Sequence, residues 1–174
     1  MHRSLACLLA AVLLVAACAP GGDANPTSAL SSAAPASSVP VLGEPIGGIE
    51  CDRGGHDDAY HIHSFLRVKV DSRLVVPPAN IGITDTCMYW VHTHDTDGVI
   101  HVEAPAEVEA TLGHFLAIWT ATYPDDPTLA AAQDAVRAGA VTVDGVRPVA
   151  GEGGYGGDPR TLALTDGAAF VLGE

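Results

Sequence analysis

The chain has 174 residues, of which eight are basic and 21 acidic, giving a formal net charge of -13. That balance argues against nucleic-acid partners, because binding to a phosphate backbone is largely counterion release by Lys and Arg, and it suits the attraction of cations. The length allows one ordinary domain with its own core.

Arg3 makes a short basic start, and residues 5–17 form an apolar and small-residue run interrupted only by Cys7. This run is too short for a bilayer core of roughly 30 Å, which takes about 20 residues, and it fits the apolar region of a signal peptide. It ends Val15-Ala16-Ala17-Cys18, which resembles the lipobox of bacterial lipoproteins. The resemblance implies cleavage after residue 17 and lipidation of Cys18; an ordinary secretory peptide cut at the same small residues is the alternative. Two or three acyl chains on Cys18 would meet the requirement of stable anchoring for more than one chain.

Residues 19–41 are mostly Ala, Ser, Pro and Gly, too poor in large side chains to offset the entropy of ordering, and they read as a tether. The expected organisation is therefore a cleaved signal peptide over 1–17, the lipidated cysteine and tether over 18–41, and a single extracytoplasmic domain over 42–174. Removing residues 1–17 takes away Arg3 and no acid, so the net charge falls to -14. The membrane, reached through the Cys18 anchor, is the expected partner, and the sequence names no protein partner.

Only Cys51 and Cys87 remain in the domain. In an oxidising compartment two cysteines most simply form one disulfide, with free thiols or metal ligation as alternatives. The next segments carry histidines. Over Tyr60–Val70 the residues alternate, with Tyr60, Ile62, Leu66, Val68 and Val70 on one side and His61, His63, Phe65, Arg67 and Lys69 on the other, which predicts a half-buried strand. Asp71-Ser72-Arg73 turns the chain into a strand over residues 74–76, and Pro77-Pro78 stops it.

Residues 88–95, MYWVHTHD, predict an apolar strand that becomes polar at its end, Asp97-Gly98 a turn, and residues 99–103 a strand with His101 and Glu103 opposite Ile100 and Val102. His-x-His puts two imidazoles on one side of a strand, so the pairs His61/His63 and His92/His94, with His101, can converge on one ion. Asp95 and Glu103 are candidate further ligands or acceptors that orient an imidazole, and His56 is a candidate auxiliary ligand. Nitrogen and carboxylate donors suit zinc or copper(II), whereas a sulfur site for copper(I) is disfavoured by a single mature methionine, Met88.

Further along, Thr111 predicts a helix cap followed by a core stripe of Leu112, Phe115, Leu116 and Trp119, with His114 off it as a structural residue. Asp126-Pro127 predicts a second helix ending at Gly139. Residues 141–143 and 146–147 around Asp144-Gly145 predict a hairpin, and residues 161–164 and 168–172 a last strand pair. The order predicts an α+β domain, a mostly antiparallel sheet with one or two helices on one face, β-grasp-like in arrangement, with a β-sandwich carrying inserted helices as the alternative.

The blocks Tyr60-His61-Ile62-His63, residues 89–95 and residues 98–103, followed by Thr111-Leu112-Gly113, resemble a family of secreted or membrane-tethered prokaryotic proteins of unassigned function; the likeness spans roughly residues 50–174 and implies no activity. The His-Thr-His-Asp run differs from the metallo-β-lactamase signature, since Thr96 stands where Asp is needed and Asp97 where His is needed. No serine-hydrolase elbow, phosphate loop or dinucleotide fingerprint is present. The expected function is thus divalent-metal binding by an anchored lipoprotein, in capture or delivery. A metal-dependent enzyme or a partner-binding module without metal stands as the alternative.

Overall fold

The computed structural model describes residues 40–54, 59–153 and 155–174. A two-residue strand, β1 (Cys51–Asp52), precedes β2 (Tyr60–Val70), which takes the full span its alternation predicts, with Leu66 and Val68 fully buried while Phe65, Arg67 and Lys69 are exposed. Asp71 and Ser72, at φ of 47° and 66°, turn the chain into β3 (Arg73–Val75), antiparallel to β2. The prolines at 77 and 78 lack a ladder donor, and the strand ends before them.

The strand expected over residues 88–95 is instead two pieces. β4 (Met88–Tyr89) pairs with β1, while β5 (Val91–His92) joins the large sheet. Trp90 makes the break: its N–H donates to Glu50 O at 3.1 Å, and its carbonyl accepts from Glu103 N at 2.8 Å, so its two sides serve different neighbours. The pairing of β1 with β4 brings together Cys51 and Cys87, which form a disulfide. β6 (Val99–Ala104) then runs antiparallel to β2 from a turn at Gly98 (φ 85°). A Cβ at Gly98 would stand 2.7 Å from Leu66 O, so the close approach of these two backbones requires glycine.

Helix α1 (Leu112–Thr122) is capped by Thr111, whose hydroxyl accepts from His114 N while His114 Nδ1 accepts from Thr111 N, a reciprocal capping box. Leu112, Phe115, Leu116 and Trp119 are all buried, as their spacing predicts. α2 (Pro127–Arg137) begins with Asp126 accepting from Thr128 N and is followed by Gly139 at φ 68°.

After α2, β7 (Val141–Val143) meets the tight Asp144-Gly145 turn, but only a single bridge to Val146 returns, so the predicted hairpin lacks a second strand. The last strand, β8 (Ala169–Leu172), does not pair with residues 161–164 either. Asp158 caps a 3₁₀ turn over Pro159–Thr161, and Ala163 bridges to Thr111 instead.

The main sheet runs β5-β6-β2-β8-β7, with β3 beside the far end of β2. Every pair is antiparallel except β2 with β8, so the long first strand and the last one lie adjacent and parallel at the centre. Among the described residues both helices lie in the link between the two halves, and this α+β fold has the β-grasp-like order; the sandwich alternative fails, since the second sheet described is only β1-β4. Leu66, Val68, Ile100, Val102, Phe170 and Leu172 pack with Phe115, Trp119, Leu129 and Val136, so the helices cover one face of the sheet. Among the described residues no helix is long and apolar enough to cross a membrane.

Candidate metal centre

The face opposite those core residues carries the histidines. Because β5, β6 and β2 are neighbours in that order, His92 pairs with His101 and His101 with His63, while Glu103 pairs with His61. Period-two alternation then puts His61, His63, His101 and Glu103 on one side of the sheet. The Nε2 atoms of His61 and His63 lie 3.0 Å apart, and those of His92 and His94 lie 3.1 Å apart. Two nitrogens bound to one tetrahedral ion at 2.0–2.1 Å stand about 3.3 Å from each other, so both pairs are within a few tenths of an ångström of chelating distance.

His92 is fully buried, which its place in an apparently polar strand end does not predict. The cause is the segment before it: Asn80 N donates to Thr93 O, Thr93 N donates to Ile81 O, and a Cβ on Gly82 would come within 3.3 Å of His92 Cβ. Thr93, also buried, gives its hydroxyl to Pro78 O at 2.9 Å and accepts from Ile81 N at 3.1 Å. The middle of the His-Thr-His run is therefore fixed on both sides.

The tautomer of His92 follows from its neighbour. Its Nδ1 lies 2.8 Å from the Tyr89 carbonyl oxygen, which can only accept, so Nδ1 carries the proton. The other ring nitrogen, Nε2, faces His94 Nε2 at 3.1 Å and Glu103 Oε2 at 3.6 Å. A backbone carbonyl that holds one ring nitrogen and so orients the other toward the site is the usual support of a metal-binding imidazole.

Glu103 is buried, and its ion-pair partners among the described residues are three imidazoles: His61 Nε2 and His101 Nδ1, each 3.2 Å from Oε1, and His92 Nε2. His101 Nδ1 is within reach of Oε1 but misaligned, and this buried atom makes no hydrogen bond. Burial holds the His101 pKa below its ordinary value, the nearby His94 and His63 lower it further, and Glu103 only partly opposes them.

Two overlapping groups can hold a metal ion: His92, His94, His101 and Glu103, and His61, His63 and His101. All five predicted histidine ligands and Glu103 are thus brought together. Asp95 is not. It is exposed and lines, with Asp97, Phe65 and Val99, a groove of about 510 Å³ beside His63, His94 and His101. His56 and Cys18 lie outside the described residues. His114 is structural as expected, and burial lowers its pKa. Sequence reasoning missed the Tyr89 carbonyl, which no side chain encodes, and Thr93, whose only signal is its place between two histidines.

The chain matches no protein-family model, no curated protein and no solved structure. The geometry alone therefore carries the functional reading.

Proposed function

We propose that this protein is a membrane-anchored, extracytoplasmic lipoprotein that binds a divalent transition metal, copper or zinc, and serves its capture or delivery. The observation that carries the metal reading is the convergence of His92, His94, His101 and the buried Glu103, whose ligand atoms lie within 4.8 Å of one another. A buried carboxylate needs a compensating positive charge, either a proton on a neighbouring imidazole or a cation held by those imidazoles. Imidazole nitrogen with carboxylate oxygen is a donor set for Zn(II) or Cu(II). The Cys51–Cys87 disulfide supports an oxidising compartment, and the lipobox-like Cys18 supports the anchor.

The test is elemental analysis and calorimetry on the purified full chain in detergent. Submicromolar binding of Zn(II) or Cu(II), with at least one equivalent lost or weakened at least about 100-fold in a His92→Ala, His94→Ala variant, is the expected result. Binding no tighter than millimolar, unchanged by those substitutions, would refute it.

A metal-dependent enzyme is the second reading, favoured by the groove beside His63, His94 and His101. It requires an open coordination position. Azide added to the Co(II)-substituted protein would change the visible spectrum in that case and leave it unchanged where protein side chains fill every coordination position.

A further inference from the structure

The two ligand groups share His101 but otherwise draw on opposite sides of β6. His92 and His94 come from the β5 side, and His61 and His63 from β2. Five imidazoles and one carboxylate exceed what one ion takes, since zinc in protein sites is almost always four-coordinate. Each His-x-His pair is already at near-chelating separation within itself, at 3.1 and 3.0 Å, so neither needs the other to complete a bite.

Glu103 sits between the pairs with its oxygens divided: Oε2 faces His92 Nε2, while Oε1 lies 3.2 Å from both His61 Nε2 and His101 Nδ1. A carboxylate offering one oxygen to each side is the ordinary bridge of a two-metal site, whose ions lie about 3.5–4 Å apart. His101, stacked at 11° on His92 and edge-on to both His63 and His94, is the ring common to the halves. Its buried Nδ1 without a hydrogen bond is a donor atom that one ion does not require and two would use.

From this arrangement we infer that the site is dinuclear: one divalent ion on His92 and His94, a second on His61 and His63, with Glu103 bridging and His101 completing the second set. The inference rests on the metal reading above and goes beyond it in stoichiometry and coupling. The chemical class of ligand is a pair of Zn(II) or Cu(II) ions, with no redox step implied.

The experiment uses the full chain in detergent, loaded with Cu(II) and dialysed. The readouts are copper per chain by elemental analysis and the integrated Cu(II) electron paramagnetic resonance intensity. Two coppers per chain with an integrated intensity well below two spins, through coupling across the carboxylate, is the expected result. A His61→Gln, His63→Gln variant should then hold one copper with the intensity of one full spin. Glu103→Gln, which keeps the side-chain shape, should restore uncoupled signal to whatever copper remains. Circular dichroism confirms that each variant is folded, and where the double variant is not, Glu103→Gln alone decides.

One copper in the parent, retained by the His61/His63 variant, would overturn the dinuclear inference and leave the mononuclear function standing. Two coppers with two full, unchanged spins would also overturn it, since the sites would then be independent. No stoichiometric copper at all would refute both readings.

Discussion

The sharpest test of the cation argument is Glu103→Gln, because its effect on stability should reverse sign with metal. In the metal-free protein the Glu103 carboxylate is buried, with Oε2 3.6 Å from His92 Nε2. Burying a charge is costly even beside polar partners, and replacing it by a neutral group of the same shape is commonly stabilising. Glutamine supplies an N–H donor toward His92 Nε2 and removes the charge. The expected gain in metal-free stability is about 1–2 kcal/mol, which for a domain of this size is a rise in Tm of roughly 4 °C for each kcal/mol.

With saturating Zn(II) the order should invert. The variant loses a charged ligand and at least about 100-fold in affinity, or about 2.8 kcal/mol of metal-derived stabilisation. Urea unfolding of parent and variant, each with chelator and with Zn(II), supplies the four numbers. If Glu103→Gln destabilises the metal-free protein by more than about 1 kcal/mol, the carboxylate is a satisfied structural acceptor and the reasoning fails.

Replacing Cys51 and Cys87 by serine should lower stability by about 4 kcal/mol on the loop-entropy relation for a sequence separation of 36, read as a lowered urea midpoint. It should also weaken metal binding, because the bridge holds β1 to β4, and the Tyr89 carbonyl on β4 fixes the His92 tautomer. Stability of the metal-free protein should fall as pH drops below about 6.5: burial lowers the folded pKa of His114, so the unfolded chain binds more protons there. That contribution is fully present above 6.5 and is lost on acidification. His114→Gln should flatten this part of the profile of urea midpoint against pH, and an unchanged slope would refute the assignment.

Where the physics is periodic, the sequence was readable. The alternation of β2, the sides of β6 and the core stripe of α1 all follow from side-chain spacing, and with them the shared face of His61, His63, His101 and Glu103. What failed was pairing that depends on distant backbone. The division of residues 88–95 at Trp90 depends on Glu50 and Glu103, the parallel pairing of β8 with β2 on the crossing helices, and the turn over Pro159–Thr161 on its Asp158 cap. The convergence of two histidine pairs was legible, but their division around Glu103 was not, because it depends on β6 lying between β5 and β2.

That order also shapes how an ion would come and go. On the inner side His92 is fully buried, with its tautomer held by a main-chain carbonyl, and the neighbouring Thr93 is fixed between Pro78 and Ile81. On the outer side His94 and His61 are exposed, the latter with 38% of its side chain accessible, and the groove reaches His63, His94 and His101. A structural metal is ordinarily enclosed by its ligands, whereas a site with rigid inner ligands and accessible outer ones lets a competing donor replace one imidazole at a time. If the proposed metal binding holds, this graded exposure fits an exchangeable ion better than a purely structural one. It also predicts that chelators will remove metal from the folded protein without global unfolding, which hydrogen exchange at the buried strands during chelation would show as unbroken protection.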